Sequence, residues 1–152
     1  TCSVYIGGEY EKETIGNLSK LVDEGEKYGI PVLAVTAVGK EMTRDARYLG
    51  LASRICVEIG AHMIKTYYTE NFNQVVEACG NVPVVIAGGK KLPEMEALKM
   101  SYNAVSDCAV GVDMGRNIFQ SDSPVGMIQA VRAIVHEGKS AEEAYEIYEQ
   151  SK

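Results

Sequence analysis

Residues 83–115 read PVVIAGGKKLPEMEALKMSYNAVSDCAVGVDMG. This stretch contains two short apolar segments, 83–87 and 109–114, which are rich in Val and bordered by Gly or Pro. Such segments are too short for buried helices and are typical of buried parallel strands. Between them, apolar residues recur at helical spacing, at Leu98, Tyr102 and Val105. The stretch therefore predicts one strand–helix–strand unit.

The same pattern runs through the rest of the chain. Apolar segments at 2–7, 32–38 and 62–66 predict three more strands, and helical patterns separate them. The last predicted helix opens with a capping box formed by Ser140 and Glu143. Strands that alternate with helices at intervals of roughly 20–30 residues predict repeated βα units and a parallel sheet.

Two α/β architectures fit this alternation, a doubly wound open sheet and an eight-stranded TIM barrel. A dinucleotide-binding sheet would carry G-x-G-x-x-G after its first strand, and residues 5–14 have only a pair of glycines. A (β/α)8 barrel takes about 250 residues, so this chain would form its C-terminal part, about strands four to eight. We then expect residues 1–152 to be a partial barrel domain without the N-terminal strands. Such a piece would be inactive alone, because its sheet edges are unpaired.

Composition narrows the class of protein. The chain has a net charge of −6 and 46% hydrophobic residues, which indicates a globular domain and disfavours nucleic acid and anionic membranes as partners. The four cysteines include no C-x-x-C pair, and the two histidines complete no zinc-ligand spacing. We expect reduced thiols in a cytoplasmic protein, with Cys56 and Cys79 facing the core, and no bound metal.

Two neighbouring strand ends carry glycines. Gly88 and Gly89 follow the segment 83–87, while Gly115 and Arg116 follow 109–114. Glycines let the backbone turn sharply and expose N–H groups, and a guanidinium can donate two parallel hydrogen bonds to one oxyanion. In barrels, a phosphate site is often built by the loops after the last two strands. The pattern favours a phosphate site, although glycines that merely permit tight turns remain the alternative.

Lys65 ends the apolar run of residues 61–64. A poorly solvated ammonium loses its proton more readily, and a neutral amine can form a Schiff base with a ketone or an aldehyde. A lysine in a structural ion pair, or one whose amine reaches solvent, explains the position equally well. The two glycine loops favour the Schiff base, since they provide a site for an anionic substrate.

Three stretches together resemble a known family. They are GAHMIKTYYTE (60–70), PVVIAGGKKLPE (83–94) and GVDMGRNIFQSD (111–122). In this order and spacing they are similar to the archaeal-type, or DhnA-like, class I fructose-bisphosphate aldolases. The resemblance is greatest to the LsrF branch, which comprises thiolases of autoinducer-2 processing that act on 3-hydroxy-5-phosphonooxypentane-2,4-dione.

The resemblance implies a (β/α)8 barrel and roles for the residues singled out above. Lys65 would be the Schiff-base lysine of strand six, and Gly88, Gly89, Gly115 and Arg116 would bind the substrate phosphate. The branch implies acetyl transfer to coenzyme A as co-substrate, with no bound cofactor. It also implies a homo-oligomer, a decamer of two rings.

One departure from the family separates the possible activities. In the stretch VTAVGKEM (35–42), Ala37 stands where the bisphosphate aldolases carry a catalytic tyrosine. A methyl group cannot transfer protons, which favours the thiolase over a fructose-bisphosphate aldolase or a transaldol-type synthase. A non-catalytic phosphate-binding or assembly module remains the alternative of another class.

Overall fold

The computed structural model describes residues 1–38 and 42–152, so residues 39–41 of the stretch around Ala37 lie outside the described residues. Strands and helices alternate as predicted. The strands are β1 (Cys2–Ile6), β2 (Leu33–Val38), β3 (Met63–Tyr67), β4 (Val84–Ala87) and β5 (Gly111–Asp113). The helices are α1 (Glu11–Tyr28), α2 (Ala46–Glu58), α3 (Phe72–Ala78), α4 (Glu94–Ser106), α5 (Arg116–Phe119), α6 (Pro124–Glu137) and α7 (Ala141–Gln150). In the described part of the chain, no helix is both long and apolar enough to cross a bilayer.

The strands follow one another in the sheet in chain order, β1-β2-β3-β4-β5. The first three are parallel, with Cys2 opposite Ala34 and Leu33 opposite Met63. A doubly wound sheet reverses its strand order at a switch point, whereas a barrel wall does not. The order therefore confirms the parallel α/β prediction and favours the barrel of the two architectures. That the strands are numbers four to eight stays a prediction.

The internal contacts divide the chain into two compact units, residues 1–85 and 86–152, and each is described by itself below. The prediction of one partial barrel domain over residues 1–152 stays a prediction.

In the first unit, side chains alternate along the strands between two faces. One set is buried on the side of helices α1 and α2, which contact these strands; it comprises Val4, Ile6, Ala34, Thr36, Ile64 and Thr66. The other set is half-buried or exposed and comprises Ser3, Tyr5, Leu33, Val35, Ala37, Met63, Lys65 and Tyr67. We name this second set the open face. Burial of one face and exposure of the other fixes the register of every strand.

The second unit has its own core, which helices α4, α6 and α7 build. Its fully buried members include Leu98, Met127, Ile134 and Tyr148. The predicted capping box is present at α7, where the Ser140 hydroxyl accepts from the Glu143 N–H and the Glu143 carboxylate accepts from the Ser140 N–H. This reciprocal pair satisfies two N–H groups that the first turn of a helix leaves unbonded.

Cys56 and Cys79 are buried, as predicted, and both lie in the first unit. Burial raises the pKa of the Cys56 thiol to about 12 and that of Cys79 to about 11. Both side chains are therefore neutral core residues at physiological pH, without the thiolate that reactive cysteines need.

Two glycines of helix α1 give opposite predictions for the same substitution. A Cβ at Gly16 would meet no atom within 4 Å, whereas a Cβ at Gly25 would lie 2.6 Å from the Ile30 carbonyl oxygen and 3.0 Å from Val32 Cγ2. We expect Gly16→Ala to raise the free energy of unfolding by about 0.4–1 kcal/mol, because it restricts the unfolded chain. Gly25→Ala should lower it by about 1–3 kcal/mol through overpacking. Urea unfolding measures both, and changes of the same sign would contradict this packing.

Candidate active site

Lys65 lies on the open face, in the middle of β3. It is the third residue of Met63–Tyr67, a strand that agrees with the predicted segment 62–66 to within one residue at each end. Thr66 is buried on the helix side and extends the alternation that Ile64 begins. Ile64 therefore points to the opposite face of the sheet from Lys65.

The strand register fixes what stands beside Lys65 in the sheet. Lys65 pairs with Val35, which pairs in turn with Ser3, and all three belong to the open face. The half-buried Lys65 thus has an apolar neighbour on the adjacent strand. Two residues after Val35 on strand β2, Ala37 lies opposite Tyr5 of strand β1. The position of the missing tyrosine is therefore on the same face as the lysine.

A cation that the sequence analysis missed lies at the end of β3. The Arg44 guanidinium carbon is 4.5 Å from the centre of the Tyr67 ring, within the range of a cation–π contact. The Thr69 hydroxyl donates to the Arg44 carbonyl oxygen at 3.2 Å, which ties the loop before α2 to the residues that follow β3. No local pattern signals this contact, because it joins two separate loops.

In the second unit, the two predicted glycine loops lie against each other. An ideal Cβ at Gly88 would be 2.4 Å from Met114 Cβ, so only glycine fits at this position. Gly89 has a φ of +63°, which L side chains rarely adopt, and its surroundings are open. Both glycines are therefore required by the backbone itself, Gly88 by close approach and Gly89 by conformation.

Asn117 connects these loops. Its side chain is fully buried; Nδ2 donates to the Gly88 carbonyl oxygen at 2.7 Å, and Oδ1 accepts from the Leu92 N–H at 2.7 Å. Asn117 directly follows Gly115 and Arg116 in the chain. The structure therefore brings together four predicted site residues, Gly88, Gly89, Gly115 and Arg116.

The lysines and the arginine of these loops differ in how far they are engaged. Lys91 Nζ is 2.7 Å from Glu94 Oε1 and also donates to the Leu92 carbonyl oxygen at 2.6 Å. The hydrogen bond from Lys91 to the Glu94 carboxylate is the main reason why the pKa of the Glu94 carboxyl lies below its usual range. Arg116 and Lys90 are exposed, and within residues 1–38 and 42–152 neither side chain has an ion pair or hydrogen bond. The charge available to an anion at these loops comes from Arg116 and Lys90.

The predicted site residues thus fall into two groups. Lys65 lies in the unit of residues 1–85, and the glycine loops lie in the unit of residues 86–152. The first unit has the half-buried Lys65 on the open face, and the second has the exposed glycines Gly89 and Gly115 in the same loops as the exposed Arg116. The assignment of catalytic and phosphate-binding roles to these residues stays a prediction.

Comparison with known proteins places the chain among aldolases. The DeoC/LacD family of aldolases matches residues 1–121. The 3-hydroxy-5-phosphonooxypentane-2,4-dione thiolase of Klebsiella pneumoniae is 59% identical over 149 residues, which cover 98% of this chain and 50% of that protein. An uncharacterised aldolase of Pasteurella multocida is 58% identical over 146 residues, 95% of this chain and 50% of that protein.

A solved structure agrees with these relatives. It is an archaeal fructose-1,6-bisphosphate aldolase with its catalytic lysine covalently bound to the carbinolamine intermediate of the substrate. It matches with a TM-score of 0.81 and 26% identity, over 88% of this chain and 56% of that protein. The chain spans half the length of the curated relatives it matches. A family match over residues 1–121 of 152 is decisive, and the chain belongs to the DeoC/LacD family of aldolases.

Proposed function

We propose that this chain carries the Schiff-base lysine and the phosphate-binding loops of a class I aldolase-type enzyme that acts on a phosphorylated ketone. The reaction is acetyl transfer from 3-hydroxy-5-phosphonooxypentane-2,4-dione to coenzyme A, as in autoinducer-2 degradation. The observation that carries the proposal is the placement of Lys65 on the open face of the sheet. The 59% identity to a thiolase named for this diketone supports the choice of substrate.

The chemistry follows from what an amine does to a ketone. The Lys65 amine attacks the carbonyl at C4, next to the phosphate-bearing carbon, and loss of water gives an iminium ion. The coenzyme A thiolate attacks the acetyl carbonyl at C2, and the bond between C2 and C3 breaks. The iminium accepts the electron pair as an enamine, which takes a proton at C3. Hydrolysis then releases dihydroxyacetone phosphate and frees Lys65, with acetyl-coenzyme A as the second product.

The phosphate would be held in the second unit. The N–H groups around Gly88 and Gly89 and those near Gly115 supply hydrogen-bond donors, and Arg116 supplies a charge that can bind two phosphate oxygens. The support is that Arg116 is exposed and that no described residue pairs with its guanidinium. Binding of an anion costs less free energy when no existing ion pair of the guanidinium has to be broken first.

The proposed chemistry needs the open face to be covered. An enclosed site excludes water and strengthens the electrostatic interactions within it, whereas Lys65 is only half-buried in the structure. We infer that β1 to β5 are strands four to eight of an eight-stranded barrel, and that the remaining strands cover this face. The proposed enzyme is a cytoplasmic homo-oligomer, a decamer by family resemblance, that uses coenzyme A as co-substrate and holds no other cofactor.

Ala37 argues against bisphosphate cleavage in this protein. It lies on the open face opposite Tyr5, and its methyl group offers no acid or base. The acetyl transfer proposed above needs no proton donor to a sugar aldehyde, since the thiol of coenzyme A takes the acetyl group. The absence of a phenol at this position therefore fits the thiolase better than an aldolase or a transaldol-type synthase.

Borohydride trapping tests the role of Lys65. Full-length protein incubated with dihydroxyacetone phosphate and reduced with borohydride should gain one covalent adduct, which peptide mass spectrometry locates at Lys65. Lys65→Met keeps the length of the side chain and removes the amine, so the adduct should be lost. The control is Lys20→Met on helix α1, which should be labelled like the parent. No adduct, or an adduct on another lysine, would refute the Schiff-base proposal.

The assignment of phosphate binding to Arg116 predicts a difference between two cations of the same loops. Arg116→Met should raise the KM for the phosphorylated ketone by about tenfold to a hundredfold, which corresponds to the loss of a charged hydrogen bond. Lys91→Met should change KM by less than about threefold, because Lys91 is engaged with Glu94. Steady-state kinetics of the full-length protein measures both. Equal effects of the two substitutions would contradict the assignment.

A further inference from the structure

We propose that Asn117 is a positioning residue that holds the loop of residues 88–92 in the conformation that binds the substrate phosphate. The inference rests on the proposed function, in which this loop binds the phosphate. Asn117 need not touch the substrate. It acts through the backbone groups that its side chain holds in place.

The side-chain amide closes the loop at both ends. Nδ2 donates to the carbonyl oxygen of Gly88, where the loop begins, and Oδ1 accepts from the N–H of Leu92, where it ends. Both distances are 2.7 Å, and the side chain is fully buried. A planar amide presents one donor side and one acceptor side, so it pairs with these two backbone groups as another peptide unit would.

The middle of the loop remains accessible while its ends are fixed. Gly89 and Lys90 are exposed, and nothing lies within 4 Å of a Cβ built at Gly89. A loop that contains two glycines loses much conformational freedom when it is ordered. If the ligand had to order the loop, that free energy would be subtracted from its affinity. The two hydrogen bonds of Asn117 order the loop before the ligand arrives.

The Asn117 side chain also fits closely against Gly88. Nδ2 would lie 3.0 Å from a Cβ at Gly88, so glycine and asparagine fit as a pair. A buried N–H or carbonyl group without a partner costs about 1–3 kcal/mol. Removal of the amide leaves the Gly88 carbonyl and the Leu92 N–H without these hydrogen bonds. The observed conformation of the loop is then destabilised relative to others.

Loss of the positioning role of Asn117 should slow the reaction of phosphorylated substrates alone, whereas a general loss of folding slows the reaction of every substrate. The experiment compares dihydroxyacetone phosphate with dihydroxyacetone on full-length protein. For each ketone, it measures the second-order rate constant at which the borohydride-trapped adduct forms at Lys65. The ratio of the two rate constants, taken on one sample, is independent of the fraction of protein that is folded.

We expect Asn117→Ala to lower this ratio by about tenfold, through weaker binding of the phosphorylated ketone. Asn117→Asp should lower it as well, because a carboxylate still accepts from the Leu92 N–H but cannot donate to the Gly88 carbonyl. The control is Ser140→Ala, which removes the side-chain cap at the start of α7, far along the chain from the loop. It should lower the thermal stability and leave the ratio unchanged.

The outcomes separate this inference from the proposed function. An unchanged ratio in both Asn117 variants, together with a ratio lowered by Arg116→Met, would refute the positioning role and leave the phosphate site standing. An unchanged ratio in Arg116→Met would refute the phosphate site, and the positioning role with it. Adducts that persist in Lys65→Met would refute the Schiff-base function itself.

Discussion

The alternation of side chains along β3 is the constraint on which the proposed chemistry depends. Ile64 and Thr66 are buried on the helix side, so Lys65 between them must point to the open face. A shift of one residue in the register would place the ammonium among apolar side chains and expose Ile64. The packing of ordinary core residues therefore sets the direction in which the Lys65 side chain points.

The glycine loops of the second unit depend on a different constraint, close approach of backbone to side chain. Gly88 lies so near Met114 that any Cβ would clash, and Asn117 uses the space that remains to bond both ends of the loop. Its hydrogen bonds keep the loop ordered although Gly89 has the freedom of a glycine with positive φ. Order at the ends and openness in the middle are what a loop needs to present N–H groups to an anion.

Local features of the fold could be predicted from the sequence, because they are encoded over a few residues. Strand periodicity gave the positions of β1 to β5, and the pair Ser140 and Glu143 gave the start of α7. Gly88 and Gly89 follow β4 directly, as the sequence predicts for the same reason. Two features of the site could not be predicted: the contact of Arg44 with the Tyr67 ring, and the hydrogen bonds of Asn117. Each depends on a partner distant in sequence, and periodicity or turn chemistry carries no information about such partners.

The central claim is that one phosphorylated ketone reacts with Lys65 while its phosphate is bound by the glycine loops. A crystal structure of the full-length protein, trapped with dihydroxyacetone phosphate and borohydride, tests it most directly. We predict continuous ligand density from Lys65 Nζ to a phosphate that accepts hydrogen bonds from the Gly89 N–H and the Arg116 guanidinium. A trapped ligand whose phosphate lies away from these loops, or that is bonded to another lysine, would contradict the account.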